Sequence, residues 1–529
     1  MTTETPAIPG VFTRKSSGLV RSVSGTDALY YGIMAVTIAY IVFMVAAWPE
    51  YPGSSMEWAT FITTLGAIAL GTVYALLAAT YPRSGGEYVF LSRLFHPALG
   101  FVISFLNTFW YTFYFGVNGA FFAIYGLSPL FTMLGLQTHN SGLVTFGSNL
   151  AGPWGIFLAG SAMVLTVAAV QYRGMRAYFL FQRWGGTIAL ISVGITILVF
   201  ILAQTGVLDF QKNFDALAGA GAYNKVLAGA RSAGTPTGWS TQLGPTFNFA
   251  IWPAFSLFFA VNMISFSGEI RNVRQSQFPA IVGSMVVSGI LMIALTFFGR
   301  MSVGTHFLLA ASANAAKFPL PVQPYLNLLA SVAANNVVMT IVVNLWVILM
   351  ILYAAGTTIL YPSRALFAWS IDGIAPRHLA TVSERYHTPV VSIVVLAIAA
   401  EIALALFAFT TTVTILSGLL GFAIGFLVVS LAGLILPFFK RDLFEGTPAG
   451  QKLGNIPLIS LAGIVASPFV AFLLYRTLVD TAYGANTPIT IRTTFVVIAI
   501  AIVWFFAARW YQKSRGVNVD RRFQEIPVE

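Results

Sequence analysis

The sequence contains no cysteine, and this absence removes several kinds of chemistry. A chain without thiols has no disulfide framework, no thiolate metal site and no cysteine nucleophile, although its redox compartment stays undetermined. The five histidines fall in loops or at the edges of apolar stretches, which is a poor arrangement for a metal cluster. There is also no phosphate-cradling motif or nucleotide domain, which excludes ATP-driven pumping by this chain alone. We therefore predict no catalytic residue, no metal, no cofactor and no enzymatic activity.

Charged residues are scarce as well. They make up 9% of the 529 residues, whereas 57% are hydrophobic, and a soluble protein is typically about 25% charged. Such a composition indicates an all-α polytopic membrane protein. Membrane bundles of this size fold as one unit, so the length of the chain does not indicate several soluble domains.

The sequence contains many long apolar runs. A helix that crosses a hydrocarbon core needs roughly 20 mostly apolar residues. Twelve stretches qualify and predict about 12 transmembrane helices. They run approximately Asp27–Ala47, Met56–Ala79, Pro97–Tyr125, Pro153–Val170, Ala177–Ala203, Thr246–Ser267, Phe278–Phe298, Asn335–Tyr361, Val390–Phe409, Val413–Pro437, Leu458–Tyr475 and Thr493–Trp510.

The positive residues are unevenly distributed between the loops. Most of the 28 lysines and arginines fall in both tails and in one set of alternate loops. Because such loops stay cytoplasmic, we predict a multi-pass protein of the cell membrane with both termini in the cytoplasm. The first 26 residues lack the apolar core and cleavage site of a signal peptide and are read as a retained tail. Topology thus accounts for the net charge of +11 without a nucleic-acid partner.

The sixth apolar stretch is interrupted by polar and small residues. Within Pro245–Gly283, the residues Ser256, Asn262, Ser265, Ser267 and Gly268 precede Glu269. Non-helical backbone at membrane depth persists only where protein or a water-filled cavity surrounds it, so this pattern indicates a binding site. An ordinary helix whose serines and asparagine pair with neighbouring helices is the alternative.

A polar stripe runs along the third stretch. Asn107, Tyr111, Tyr114 and Asn118 recur at spacings of four, three and four, which places them on one helical face. A polar stripe in a membrane usually faces the interior of the bundle. It either lines the path of a substrate or forms hydrogen bonds that hold the scaffold together.

Three further residues are candidates for coupling ions. Thr357 and Thr358 supply hydroxyl ligands suited to Na⁺, unless both hydroxyls bond to their own helix. Glu401 lies near the centre of the ninth stretch, where a carboxylate is costly and an intramembrane acid indicates a functional site. Its alternatives are a proton-coupling role and a structural acid that is protonated or paired between subunits.

Several separate segments resemble signatures of the amino acid–polyamine–organocation permease family, occur in that family's order, and span roughly Gly18 to Phe439. They are Gly18–Leu29 (GLVRSVSGTDAL), Tyr81–Arg93 (YPRSGGEYVFLSR) with His96–Phe101, Gly268–Ile281 (GEIRNVRQSQFPAI), Ser363–Pro376 (SRALFAWSIDGIAP) and Thr388–Pro389. The resemblance implies a leucine-transporter-like fold of 5+5 inverted helices plus two additional ones. It also implies alternating-access transport of amino acids or related amines.

The implied organisation divides the chain into six parts. These are a cytoplasmic tail (1–26), a first repeat with helices 1 to 5 (27–204), an extracellular loop (205–245), a second repeat with helices 6 to 10 (246–439), a cytoplasmic loop with helices 11 and 12 (440–512) and a cytoplasmic tail (513–529). The last two helices lie outside the repeat.

The resemblance places a substrate between interrupted helices 1 and 6, near the bilayer midplane. The residues predicted to bind it are Ile33, Ala35, Thr37, Asn107, Tyr111, Ser256, Phe258, Ala260 and Asn262. The family's glycine-rich segment is absent after Gly32, and the fifth stretch lacks the lysine of some proton-coupled relatives. At the cytoplasmic rim, Arg83, Glu87, Glu269 and Arg271 are predicted to form charge pairs that latch a gate.

The function that these observations favour is secondary transport of amino acids. The predicted partners are a small-molecule substrate, co-transported H⁺ or Na⁺ and the lipid bilayer. Because the spans contain almost no carboxylate besides Glu401, neutral or zwitterionic substrates are favoured over organic cations. A polyamine or amine transporter or exchanger of the same fold is one alternative, and an ion-conducting membrane subunit is the other.

Overall fold

The computed structural model describes residues 18–235, 238–411, 416–439, 441–444, 446–519 and 522–523. Most of the predicted N-terminal tail lies outside these ranges. The predicted start of the tenth stretch at Val413 and the end of the C-terminal tail also lie outside the described residues.

The described chain is helical, apart from one two-stranded hairpin. The α-helices are α1 (Gly25–Val36), α2 (Ile41–Ala47), α3 (Met56–Thr80), α4 (Glu87–Leu94), α5 (Pro97–Phe121), α6 (Ser128–Gln137), α7 (Ser141–Leu150), α8 (Pro153–Tyr172), α9 (Met175–Gln204), α10 (Phe210–Ala218), α11 (Ala222–Ser232), α12 (Leu243–Phe249), α13 (Ile251–Leu257), α14 (Val273–Val303), α15 (Thr305–Ala313), α16 (Leu326–Ala334), α17 (Val337–Asp372), α18 (Val390–Phe409), α19 (Leu419–Phe439), α20 (Arg441–Phe444), α21 (Leu458–Val479) and α22 (Pro488–Ser514). Strands β1 (Lys452–Leu453) and β2 (Ile456–Pro457) pair antiparallel.

Within the described residues, 12 helical segments are long and apolar enough to cross a membrane, which confirms the predicted all-α polytopic fold. These spans, numbered 1 to 12, are Gly25–Glu50, Met56–Thr80, Pro97–Gln137, Pro153–Tyr172, Met175–Gln204, Leu243–Ser265, Val273–Val303, Val337–Asp372, Val390–Phe409, Leu419–Phe439, Leu458–Val479 and Pro488–Ser514. Span 8 continues to Asp372, beyond the predicted end at Tyr361. The polar residues that follow Tyr361 do not end the helix because Arg364 is buried against an acidic partner.

Spans 3, 4 and 9 pack closely through glycines. Gly119 of span 3 faces Gly160 of span 4, whose Cα lies 3.0 Å from the position that a Cβ on Gly119 would occupy. On the same helix, Gly116 lies directly against the backbone of Ala400 and Leu404 in span 9. Small residues permit such close contact between helices in a membrane.

This contact makes Gly116 intolerant of substitution. In Gly116→Ala the new Cβ would overlap the carbonyl of Ala400 and lie 3.0 Å from the amide nitrogen of Leu404. Backbone atoms cannot rotate away, so spans 3 and 9 must separate, and we expect a loss of about 1–3 kcal/mol. Thermal unfolding in detergent measures the loss.

Gly194 in span 5 is the matched control, because nothing lies within 4 Å of the position its Cβ would occupy. Gly194→Ala gains helix propensity of up to about 1 kcal/mol and is expected to unfold at or above the wild-type temperature. Equal effects of the two substitutions would contradict the packing argument.

Short helices cover one end of the bundle. Between spans 5 and 6 and between spans 7 and 8, α10, α11, α15 and α16 pack on one another, and the rings of Tyr223 and Phe307 stack with centroids 4.4 Å apart. The indoles of Trp48 and Trp239 both donate to the carbonyl of Ser54. At the other end lie the start of span 1 and the end of span 12, and we call this the termini-bearing end.

Candidate functional site

The α-helical hydrogen bonding of span 1 is interrupted at Thr37. Helix α1 begins with a capping box between Ser24 and Asp27 and ends at Val36. Thr37 has a φ of 52°, which is a left-handed conformation unusual for a β-branched residue. Its hydroxyl donates to the carbonyls of Met34 (3.0 Å) and Ala35 (3.2 Å), which offsets part of the cost of this backbone. A short 3₁₀ turn then leads into α2.

Span 6 changes its helix type at the same depth. Helix α13 ends at Leu257, and residues Phe258–Ser265 form a 3₁₀-helix. The Ser256 hydroxyl donates to the carbonyl of Val36, where α1 ends. The interruptions of spans 1 and 6 are therefore in direct contact.

A cavity of about 350 Å³ lies beside this contact. Most of the side chains around it are aromatic, and none that the structure describes is charged. Its lining residues are Ala35, Thr37, Tyr40, Phe43, Tyr111, Phe113, Tyr114, Val117, Phe121, Tyr125, Trp252, Phe255, Ser256, Phe259, Asn262, Ala354, Thr357, Thr358, Phe407, Leu416, Ser417, Leu419 and Tyr483. The volume is at the lower end of the usual range for small-molecule sites, about 300–1,000 Å³.

The structure brings together only part of the predicted binding set. Ala35, Thr37, Tyr111, Ser256 and Asn262 line the cavity together with Thr357 and Thr358. The other predicted residues are buried elsewhere and do not line it; they are Ile33, Asn107, Phe258 and Ala260.

The helix type of span 6 explains which of its residues face the cavity. A 3₁₀-helix has three residues per turn, so side chains three apart share one face. Ser256, Phe259 and Asn262 follow this spacing and line the cavity. Phe258 instead packs against Phe426 and Phe469. Phe259 was not among the predicted binding residues. A spacing of three residues indicates a shared face only where the segment is a 3₁₀-helix, and the sequence did not reveal that helix type.

The four residues of the polar stripe in span 3 form hydrogen bonds with different parts of the molecule. The Tyr111 hydroxyl donates to Oδ1 of Asn262 in the cavity. Tyr114 accepts the amide hydrogen of Gly418 at 3.2 Å. Asn118 accepts from Tyr40 of the 3₁₀ turn. Asn107, one turn nearer the termini-bearing end, donates to Oε1 of Glu87 at 2.6 Å.

Asn262 is the most informative polar residue of the cavity. It is 1% exposed, and its Oδ1 is occupied by Tyr111. Among the residues that the structure describes, its Nδ2 has no hydrogen-bond partner. A buried donor without a partner is costly, so its presence in a cavity wall marks a position where a ligand oxygen would be stabilised.

The three residues predicted to bind coupling ions lie in two different places. Thr357 donates to the carbonyl of Ala354 at 2.8 Å, and Thr358 donates to that of Ala355 at 2.9 Å. Both hydroxyls therefore bond to their own helix, which is the alternative to an ion site, although both residues line the cavity. Glu401 does not line the cavity. It accepts a 2.6 Å hydrogen bond from Ser161 of span 4.

The structure places the four residues predicted to latch a gate in different surroundings, and two of them are buried. Glu87 and Glu269 are each 1% exposed. Glu269 is held by both nitrogens of the Arg364 guanidinium, at 2.9 and 3.1 Å. The backbone of Arg271 donates to Val23, and the guanidinium of Arg83 donates to the carbonyl of Pro82.

Backbone contacts close the termini-bearing end below the cavity. Val23 pairs with Ile270 in a parallel bridge, and Ser84 pairs with Phe266 in an antiparallel one. The amide of Gly85 donates to the carbonyl of Ser265 at 2.8 Å. The loop before α4 is thus attached to the 3₁₀ segment of span 6.

Sequence comparisons place this arrangement in a family. No curated protein matches the chain significantly. The family model described as amino acid permease matches residues 22–507, which include all the cavity-lining residues and reach into span 12. The chain therefore belongs to the amino acid permease family of the amino acid–polyamine–organocation superfamily and is a multi-pass membrane transporter.

Proposed function

We propose that the protein is a secondary active transporter of neutral, zwitterionic amino acids with large apolar side chains. The substrate occupies the cavity beside Thr37 and Asn262 and crosses the membrane by alternating access. The termini-bearing end faces the cytoplasm of a cell membrane, as the distribution of lysine and arginine indicates.

The observation that carries this proposal is an uncharged, mainly aromatic cavity at the interruption of span 1. A substrate with net charge would lose its hydration there without meeting an opposite charge, which is strongly unfavourable. A zwitterion has no net charge, and neutral hydrogen-bonding groups can satisfy both of its ends. The aromatic walls favour a large apolar side chain, because they offer it extensive contact area.

Groups suited to each end of a zwitterion lie around the cavity. Helix α1 ends at Val36, between the lining residues Ala35 and Thr37, and the partial negative charge at a helix C-terminus favours an ammonium group. The unpartnered amide nitrogen of Asn262 favours a carboxylate. Neither arrangement requires a charged protein side chain.

Sodium is the alternative coupling ion, at Thr357 and Thr358, because both residues line the cavity although their hydroxyls bond within span 8. If Na⁺ binds there, replacing NaCl by choline chloride reduces uptake, and Thr357→Val removes this dependence. Uptake that is indifferent to Na⁺ excludes this coupling.

Counterflow into liposomes tests the proposed function. Vesicles that contain the full-length protein and unlabelled L-phenylalanine are expected to take up labelled L-phenylalanine, and L-leucine should compete. Putrescine and L-glutamate should compete poorly, because the cavity offers no charge to either. Competition by putrescine alone would support the amine-transport alternative, and absence of any exchange would overturn the proposal.

A further inference from the structure

Glu87 is a buried acid that does not line the cavity, and the proposed transport function gives it no role. It is the first residue of α4 and follows two glycines with positive φ, Gly85 (124°) and Gly86 (65°). This left-handed turn directs the start of α4 into the bundle, and only 1% of Glu87 is exposed.

The carboxylate of Glu87 is held by uncharged partners. Its Oε1 accepts hydrogen bonds from Nδ2 of Asn107 at 2.6 Å and from the hydroxyl of Tyr361. Within the described part of the chain, no lysine, arginine or histidine forms an ion pair with it. A buried carboxylate without a cation is costly, and protonation relieves this cost.

Three cations lie near Glu87 along the chain or across the bundle, and each has other contacts. The guanidinium of Arg83, four residues before Glu87, donates to the carbonyl of Pro82. Arg93, on the same helix, pairs with Asp372 at 2.7 Å. Arg364 of span 8 pairs with Glu269. The remaining titratable groups that face Glu87 are the phenols of Tyr74, Tyr111 and Tyr361, from spans 2, 3 and 8.

Burial is the main influence on the protonation of Glu87. It raises the pKa of the carboxyl above its ordinary value of 4.5, while hydrogen bonds from Tyr361, the backbone and Asn107 act in the opposite direction. The protonated form is therefore more favoured here than in water, and a change in burial changes the affinity for the proton.

Two connections link Glu87 to the cavity. Through side chains, the ring of Tyr361 lies 4.6 Å from that of Tyr111, which donates to Asn262 in the cavity wall. Through the backbone, the amide of Gly85 is bonded to Ser265 at the end of the 3₁₀ segment of span 6. A movement of span 6 therefore acts directly on the turn that positions Glu87.

We propose that Glu87 is the proton-coupling site of this transporter, because it is a buried, unpaired carboxyl attached to both the cavity wall and the interrupted span 6. The inference rests on the proposed transport function. While the opposite end of the transporter is open, the carboxyl takes up a proton from water that enters through the cavity, and in the closed state it retains this proton. When the termini-bearing end opens, water reaches the carboxyl, the proton leaves to that water, and Asn107 and Tyr361 stabilise the carboxylate that remains. One proton then crosses with each neutral substrate.

Proton-driven uptake in liposomes tests this inference. With the membrane potential clamped and the outside one pH unit more acidic, wild-type protein is expected to accumulate labelled L-phenylalanine up to about tenfold. Glu87→Gln, which resembles the protonated side chain, should retain counterflow but lose this accumulation. Glu401→Gln, which tests the acid inside span 9, should still accumulate substrate.

The outcomes separate the two proposals. If wild-type protein exchanges L-phenylalanine but ignores the pH gradient, or if Glu87→Gln still accumulates it, the inference about Glu87 is wrong. Loss of accumulation in Glu401→Gln alone would transfer the role to Glu401. If wild-type protein exchanges no amino acid, the proposed function fails instead.

A stability measurement tests Glu87 without any substrate. Because the folded pKa is raised, Glu87 contributes stability that is present at low pH and is lost as the pH rises through the folded value. The unfolding temperature of the wild type relative to Glu87→Gln should therefore fall with rising pH above about 4.5. Tyr361→Phe removes a hydrogen bond that lowers the pKa and should move this fall to higher pH. A difference between wild type and Glu87→Gln that does not change with pH would overturn the inference.

Discussion

Replacing Arg364 by methionine is expected to lower the free energy of unfolding by about 3–5 kcal/mol, because the substitution leaves Glu269 buried without its cation. The side chain of Arg364 is fully buried, and that of Glu269 is 1% exposed. Their two hydrogen bonds, at 2.9 and 3.1 Å, have the bidentate geometry that makes such pairs strong. Thermal or denaturant unfolding in detergent measures the change.

Two further variants test whether the loss of stability comes from the buried charge that is left unpaired. In Arg364→Met with Glu269→Gln, no unpaired charge remains, so part of the lost stability should return. Arg183→Met removes a cation whose side chain is 57% exposed and which pairs with Asp27 at 2.6 Å. This control should lose much less stability, since most of the Arg183 side chain is already in water and Ser24 donates two hydrogen bonds to the remaining carboxylate. A wild-type unfolding transition in Arg364→Met would show that the pair does not hold spans 6 and 8 together.

The Arg364 variants also test how the termini-bearing end closes. The carbonyl of Glu269 accepts the amide of Val23, and the amide of Arg271 donates back to Val23. The buried ion pair therefore supports the bridge between the start of the chain and the end of span 6. If this bridge closes the transporter, Arg364→Met should increase access of a membrane-impermeant thiol reagent to a cysteine introduced at Ala35. The chain has no other cysteine to react.

Replacing Asn262 by leucine is expected to weaken the apparent affinity for L-phenylalanine by roughly 10- to 100-fold. A hydrogen bond to a charged group contributes about 1.5–3 kcal/mol, and each 1.4 kcal/mol corresponds to a factor of ten. Leucine has a similar shape but removes the Nδ2 donor, which has no partner in the described part of the chain. Concentration-dependent counterflow measures the effect, with unfolding temperature as a check on folding.

Tyr111→Phe is the matched control for this prediction. It removes the hydroxyl that donates to Oδ1 of Asn262 but leaves the amide donor in place. The loss of affinity should therefore be smaller than in Asn262→Leu. Unchanged affinity in Asn262→Leu would place the substrate carboxylate elsewhere, and an equal loss in both variants would mean that Asn262 acts only through its contact with Tyr111.

The predicted binding set shows where sequence reasoning was effective and where it failed. Thr37, Ser256 and Asn262 were identified because polar residues in an apolar run are rare and therefore informative. Phe259 and Tyr40 were missed because aromatic residues are common in every span and carry no signal by themselves. Phe258 and Ala260 were chosen for their position in the run, but a three-residue period excludes them from the cavity face.

The charge pairs show a different limit. Glu269 was predicted to form charge pairs with residues of the cytoplasmic loops, whereas its partner Arg364 belongs to the helix of span 8. Arg364 lies beyond the predicted end of span 8 at Tyr361. It is instead part of the helix, because a buried carboxylate compensates its charge.

The sequence by itself determined the number of spans, the all-α class and the membership of a transporter family, because long apolar runs and spaced signature motifs are properties of the chain. Which end of the bundle faces the cytoplasm also stays a prediction from charge placement alone. Only the tertiary structure decided which polar groups meet: Asn262 with Tyr111, Glu269 with Arg364, and Glu87 with Asn107 and Tyr361. The physical reason is that a buried polar group must find a partner in three dimensions, and that partner lies on another span, at a distance along the chain that no local pattern records.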